Sequence, residues 1–179
     1  MKKIFLTLMV MVAAVAANAQ VWVGGSLGFR TFDADETDFG KNLEFNINPE
    51  VGYDLSEDWS IAIALGFKTT SFDVDGVDNT TNISVNPYAR YKFLKAGNFS
   101  LFLDGGFAFE SVDEGNKGGD FSNWNIAVKP GVAYSLNENF CIVGHLGDGL
   151  IYRGGDDKAA NGIALDIANG LSFGVYYAF

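Results

Sequence analysis

The stretch Leu43-Glu44-Phe45-Asn46-Ile47-Asn48-Pro49-Glu50-Val51-Gly52-Tyr53-Asp54-Leu55 alternates for thirteen residues without an error. Leu43, Phe45, Ile47, Pro49, Val51, Tyr53 and Leu55 share one side, and Glu44, Asn46, Asn48, Glu50, Gly52 and Asp54 the other. A period of two marks a β-strand with one face in an apolar medium and one in a polar medium.

The same rhythm runs through most of the chain. Trp59, Ile61, Ile63, Leu65 and Phe67 oppose Ser60, Ala62, Ala64, Gly66 and Lys68. Ile83, Val85, Pro87, Ala89, Tyr91 and Phe93 oppose Asn82, Ser84, Asn86, Tyr88, Arg90 and Lys92. Phe99, Leu101, Leu103, Gly105, Phe107 and Phe109 oppose Ser100, Phe102, Asp104, Gly106, Ala108 and Glu110, and Trp124 to Leu136 repeats the pattern. A first strand carries Val21, Val23, Gly25, Leu27 and Phe29 on its apolar face, and a seventh carries Phe140, Ile142, Gly144 and Leu146. The seventh loses phase near Gly147 to Gly149, where a bulge or the strand's end is expected. The last runs from Ile163 through Phe173, Val175 and Tyr177 to Phe179.

Connection lengths alternate as well. Short polar turns fall at Ser56 to Asp58, Lys95 to Asn98 and Asn137 to Asn139, and long ones at about Phe32 to Asn42, Ser71 to Thr81, Val112 to Ser122 and Asp148 to Asn161. Eight strands with short and long connections at opposite ends form an up-and-down meander. The hairpins share a motif: Pro49 and Tyr53, Pro87 and Tyr91, and Pro130 and Tyr134 all read P-x-x-x-Y. Each tyrosine stands just before a short turn, and Trp59, Phe99 and Phe140 follow it, so that with Phe179 they predict an aromatic belt at one level. Nothing in the sequence explains three prolines at one height, since proline inside a strand normally marks an edge or a bulge.

Eight strands close either as a soluble, lipocalin-like barrel with the apolar face inward or as a membrane barrel with it outward. The rings of Trp59, Phe67, Phe93, Phe99, Phe107, Trp124 and Phe140 overfill a narrow bore, and Ala62, Ala64, Gly66, Gly106, Ala108, Ala127, Gly131 and Ala133 make a poor soluble surface. Outward placement resolves both conflicts. It also keeps Glu44, Glu50, Lys68, Arg90, Lys92, Asp104, Glu110, Lys129 and Asp166 out of lipid, where a basic residue at mid-depth costs about 2 to 4 kcal/mol. Acids and bases that pair across the bore favour a plugged lumen over an open channel. The expected fold is therefore all-β, an eight-stranded antiparallel transmembrane β-barrel with an apolar exterior and a polar, plugged lumen.

Residues 1 to 19 read as a secretory signal, with Lys2 and Lys3, an apolar run from Ile4 to Ala17 broken by Thr7, and a small-x-small site at Ala17-Asn18-Ala19. The run is too short for a spanning helix, which needs about 20 residues. Residues 20 to 179 form the barrel domain. Removing two lysines leaves 10 basic residues against 22 acidic ones and moves the net charge from -10 to -12. That balance excludes nucleic acid as a partner. Cys141 is the single cysteine, which rules out an internal disulfide and a cysteine-based zinc site.

The alternation, the belt and the ending Leu171-Ser172-Phe173-Gly174-Val175-Tyr176-Tyr177-Ala178-Phe179 resemble the small outer-membrane β-barrels of the OmpA/OmpX type, the outer membrane protein β-barrel domain or porin-family proteins of Gram-negative bacteria. The resemblance covers Val21 to Phe179. It implies an integral outer-membrane protein with periplasmic termini and extracellular long loops, and an apolar face in contact with outer-membrane lipid and lipopolysaccharide. The segment ending in Phe179 looks like the signal read by the barrel assembly machinery. With no peptidoglycan-binding domain expected after Phe179, the likeness is to the short, loop-displaying forms. No catalytic, cofactor or metal residue transfers from the family.

Candidate chemistry is sparse. His145, the single histidine, is expected to face inward near Asp148. Some small outer-membrane barrels modify lipid A with His beside Ser or Asp, whereas a lumen histidine ordinarily just adds a hydrogen bond. Asp33, Asp35, Glu36, Asp38, Asp73, Asp75, Asp78, Asp113, Glu114, Asp120, Asp156 and Asp157 make the long loops acidic. They could hold Ca²⁺ or meet lipopolysaccharide, but no loop has EF-hand spacing, and a solvated acidic surface is the ordinary reading. Three roles follow: a structural barrel displaying acidic loops to a host or surface ligand, a small passive pore, or a lipid-modifying enzyme acting through His145.

Overall fold

The computed structural model describes residues 20–33, 41–72, 79–115, 119–147, 149–155, 161–167 and 171–179. Residues 1–19 and most of the loop acids lie outside them. Ten strands form: β1 (Val21–Asp33), β2 (Lys41–Asp54), β3 (Trp59–Phe72), β4 (Thr80–Ala96), β5 (Phe99–Asp113), β6 (Asp120–Ser135), β7 (Phe140–Leu146), β8 (Gly149–Gly155), β9 (Gly162–Asp166) and β10 (Leu171–Ala178). All pairings are antiparallel, and the β5–β6 pairing closes the sheet. β7 and β8 both pair with β6 and form one stave, while β10 pairs with β7 and β9 with β8 to form the next. The result is the expected eight-stave antiparallel barrel.

The interruption expected near Gly147 to Gly149 is real. Gly131 pairs with His145 and Val128 with Leu150, so the chain between His145 and Leu150 is two residues longer than the chain it spans between Val128 and Gly131. Two extra residues preserve the alternation, and Leu146, Leu150 and Tyr152 all remain exposed. Gly147 and Gly149 absorb the detour with φ of 72° and 65°, a region closed to most side chains. The long turn expected from Asp148 to Asn161 is correspondingly shorter, because Gly149–Gly155 continue the wall as β8.

The prolines now have a reason. Pro49 pairs with Gly25, Pro87 with Ile63 and Pro130 with Leu103, each on the strand before it. On the other side the ladder lapses: Asn48 and Pro49 have no pair on β3, Asn86 and Pro87 none on β5, and Lys129 and Pro130 none on β7 or β8. Proline has no N–H to donate, so each one sits where its nitrogen turns toward the next strand of its own short-turn hairpin.

The short turns are locally capped. Ser56 Oγ accepts from Trp59 N at 3.1 Å, and Asn137 Oδ1 accepts from Phe140 N at 2.8 Å. β4 extends to Ala96, which tightens the second turn to Gly97–Asn98 with Gly97 at φ 60°. The belt forms at this end, although each ring meets the next hairpin instead of its own: Trp59 stacks on Tyr91 at 4.6 Å, Phe99 meets Tyr134 at 4.6 Å, and Phe140 meets Tyr177 at 5.0 Å. A second aromatic group, Phe107, Trp124 and Tyr152, lies toward the long loops. Tyr134 and Trp124 are ten residues apart on β6. That is about 34 Å of strand, and tilt reduces it to roughly the 25 Å height of a membrane barrel's apolar band.

Burial is inverted relative to a soluble protein. Trp59, Phe67, Phe107 and Phe173 are 47%, 42%, 42% and 62% exposed, while Arg90 and Asp104 are 4% and 6% exposed. Val21 keeps its place on the outer face beside Tyr53 but is buried there, and Phe179 donates its N–H to the Val21 carbonyl at 3.1 Å.

Candidate functional site: the lumen plug

Strand alternation sends Trp22 from β1, Glu50 from β2, Tyr88 and Arg90 from β4, Phe102 and Asp104 from β5, His145 from β7 and Tyr176 from β10 into the bore at neighbouring heights. Arg90 and Asp104 are direct cross-strand partners. The guanidinium donates to both carboxylate oxygens, Nε to Oδ1 at 2.7 Å and Nη2 to Oδ2 at 2.8 Å. His145 Nε2 lies 2.8 Å from the same Oδ2. Glu50 Oε2 accepts from the Tyr88 hydroxyl at 2.6 Å and from the Tyr176 hydroxyl at 2.9 Å. Arg90 Nη2 reaches Tyr176 Oη at 3.4 Å, which links the two carboxylates through one network.

Rings pack around this polar centre. The Arg90 guanidinium lies 4.1 Å from the centroid of Phe102 and 5.3 Å from that of Tyr176. Trp22 stacks on Tyr176 at 4.6 Å, and Phe102 meets the edge of His145 at 5.4 Å. Desolvated cation–π contacts of this kind contribute on the order of 2 kcal/mol. A buried ion pair needs its remaining donors and acceptors satisfied, and the tyrosine hydroxyls, His145 and the ring faces do this for Arg90 and Asp104.

Glycine makes room for the rings. Trp22 pairs with Gly52, Tyr176 with Gly24, Tyr88 with Gly106 and Phe102 with Gly131. A Cβ on Gly52, Gly24 or Gly131 would fall closer than 3.0 Å to the facing ring, and one on Gly106 closer than 3.0 Å to the Cβ of Tyr88. The rings of Trp22, Tyr176 and Phe102 thus lie against bare stretches of the adjacent strands.

The plug separates two hollows. Toward the short turns is a vestibule of about 270 Å³ whose lining includes Trp22, Arg90, Lys92, Phe102 and Cys141. Toward the long loops is a pocket of about 50 Å³, bounded by Glu50, Asn86, Asp104 and Lys129 and sized for a few waters.

The inward position of His145 agrees with the sequence reading. Its partner is Asp104, while Asp148 lies outside the described residues. Asp104 is already engaged by Arg90, and Ser172, opposite His145 in the ladder, makes no hydrogen bond to it. Asp104 thus orients the His145 ring. Among the loop acids, Asp113 Oδ1 accepts from Gly115 N at 2.8 Å. Among the described residues, no group of three or more His, Cys, Asp or Glu could hold a metal ion. The alternation placed Tyr88, Phe102 and Tyr176 on the polar face without signalling that they assemble around Arg90. Their shared signal is that each faces glycine across the ladder, which requires a known register.

The family described as Outer membrane protein beta-barrel domain matches residues 4–179. Neisserial surface protein A has a similar structure, with a TM-score of 0.59 and 16% identity over 90% of this chain and 98% of that one. The N-terminal β-barrel domain of OprF from Pseudomonas aeruginosa gives a TM-score of 0.55 and 19% identity, again over 90% of this chain and 98% of that one. At these identities the likeness is one of fold. No curated protein sequence matches the chain.

Proposed function

Since the chain belongs to the outer membrane protein β-barrel domain family, we propose that it is an integral outer-membrane protein whose lumen is closed and whose role is structural, presenting acidic loops at the cell surface. The supporting observation is the plug: Arg90, Asp104, Glu50, His145 and four rings fill the bore, and each of the four titratable groups named is hydrogen-bonded within the cluster. A solute pathway needs a continuous hydrated lumen, whereas here the two hollows are divided by desolvated, mutually hydrogen-bonded groups. The short turns and both termini face the periplasm, the long loops face outward, and the terminal Phe179 segment engages the assembly machinery. The outward loops, rich in Asp and Glu, are the surface available to a ligand.

The test is single-channel recording of the purified barrel in a planar bilayer. The expected trace shows no sustained openings. Stable conductance steps would instead favour the passive-pore role.

A further inference from the structure

Gly105 has no internal reason to be glycine. It lies inside β5, faces outward, and a Cβ added there would meet nothing within 4 Å. The other described glycines inside β1–β6 would each drive that atom closer than 3.0 Å to a neighbour. Glycine weakens a strand interior, so one that the protein's own packing does not require marks a place where something else approaches the backbone. Gly105 pairs with Ala89, and Ala89 with Ile61. Gly105 and Ala89 floor a concavity of about 830 Å³ that is open outward, walled by Tyr53, Ile61, Ile63, Pro87 and Phe107, and almost wholly apolar.

We propose that this dent seats one acyl chain of a membrane phospholipid. Two observations select that occupant. Ala89 and Ile61 are each two residues from the stacked pair Tyr91 and Trp59, which places the dent one outward row inside the short-turn belt. Under the orientation proposed above, on which this choice rests, that row lies in the phospholipid leaflet. A second copy of the chain fits poorly, because a two-fold dimer through this face would set dent against dent and leave a void. A flexible hydrocarbon chain fills such a hollow without a matching surface.

Native mass spectrometry of the full barrel, released from detergent micelles containing phosphatidylethanolamine and lipid A, tests the proposal. The wild-type barrel should retain one phosphatidylethanolamine. Gly105→Leu and, independently, Ala89→Leu should lose it while still shifting on a gel between unboiled and boiled samples, which reports folding. Val175→Leu, on the exposed face of β10, should keep it. Equal retention in wild type and both dent variants would overturn the site. A two-barrel species abolished by Gly105→Leu would overturn the occupant, and retention of lipid A alone would overturn the choice of leaflet. Ion conductance would contradict the closed lumen and leave the lipid result unaffected, so the two failures can be told apart.

Discussion

Phe102 on β5 faces Gly131 on β6, and the two are so close that a Cβ at position 131 would fall within 3.0 Å of the ring. Phe102 is fully buried and lies under Arg90, so a side chain at 131 displaces a ring that carries the ion pair. Gly131→Val should destabilise the barrel by about 1 to 3 kcal/mol through overpacking. Gly105→Ala, with open space around it, should change stability by less than about 1 kcal/mol. Urea unfolding of both variants in the same vesicles provides the comparison, and equal losses would refute the packing argument.

Breaking the ion pair from one side should cost more than removing it. Asp104→Leu leaves the Arg90 guanidinium buried without its carboxylate, at a cost of about 3 to 5 kcal/mol. Combining it with Arg90→Met removes the charge and should recover much of that loss. Unfolding midpoints of the single and double variants measure the difference. Additive losses would mean that the pair is not coupled as the geometry implies.

Cys141 lines the vestibule on the short-turn side of the plug. In vesicles with a single barrel orientation, a membrane-impermeant maleimide should label it when added on the short-turn side and not when added on the long-loop side. Replacing both Trp22 and Phe102 with Ala should open a route and allow labelling from both sides. Wild-type labelling from the loop side would show that the plug does not seal.

The stacked pair Trp59 and Tyr91 makes a separable contribution to stability. A double-mutant cycle with Trp59→Leu and Tyr91→Leu should give a coupling of about 0.5 to 1.5 kcal/mol beyond area burial. Coupling near zero would mean that the belt's rings anchor to the interface one by one.

The strands, the orientation of their faces and the belt were legible because alternation against a bilayer leaves a strong periodic record in each strand. The details of the belt were less so. Trp59 follows Tyr53 in the chain yet stacks on Tyr91, since neighbours across a long-loop hairpin are set by register, which no single strand encodes. The plug was legible as charges facing inward, Arg90 and Asp104 among them. Its rings were hidden because Phe102 and Tyr176 on a polar face look like errors in the pattern until their glycine partners are known. The proline repeat was visible, but its cause needed the ladder, which shows the bonds that Pro49, Pro87 and Pro130 do not make. Continuation of the wall through Gly149–Gly155 was masked by a two-residue detour that resembles a strand end in one dimension.

The three pairings of ring with glycine, at Trp22, Tyr176 and Phe102, also solve a problem that greasy and polar alternation leaves open. Sliding one strand by a single residue turns every side chain over and is forbidden by lipid, but sliding it by two is invisible to that pattern. A two-residue slide of β2 against β1 would put Glu50 or Asp54 under the Trp22 indole in place of Gly52, and one of β6 against β5 would put Lys129 or Ala133 under Phe102. The rings act as keys that fit a single notch each, so the stagger that sets the cylinder's girth is dictated by shape at three points.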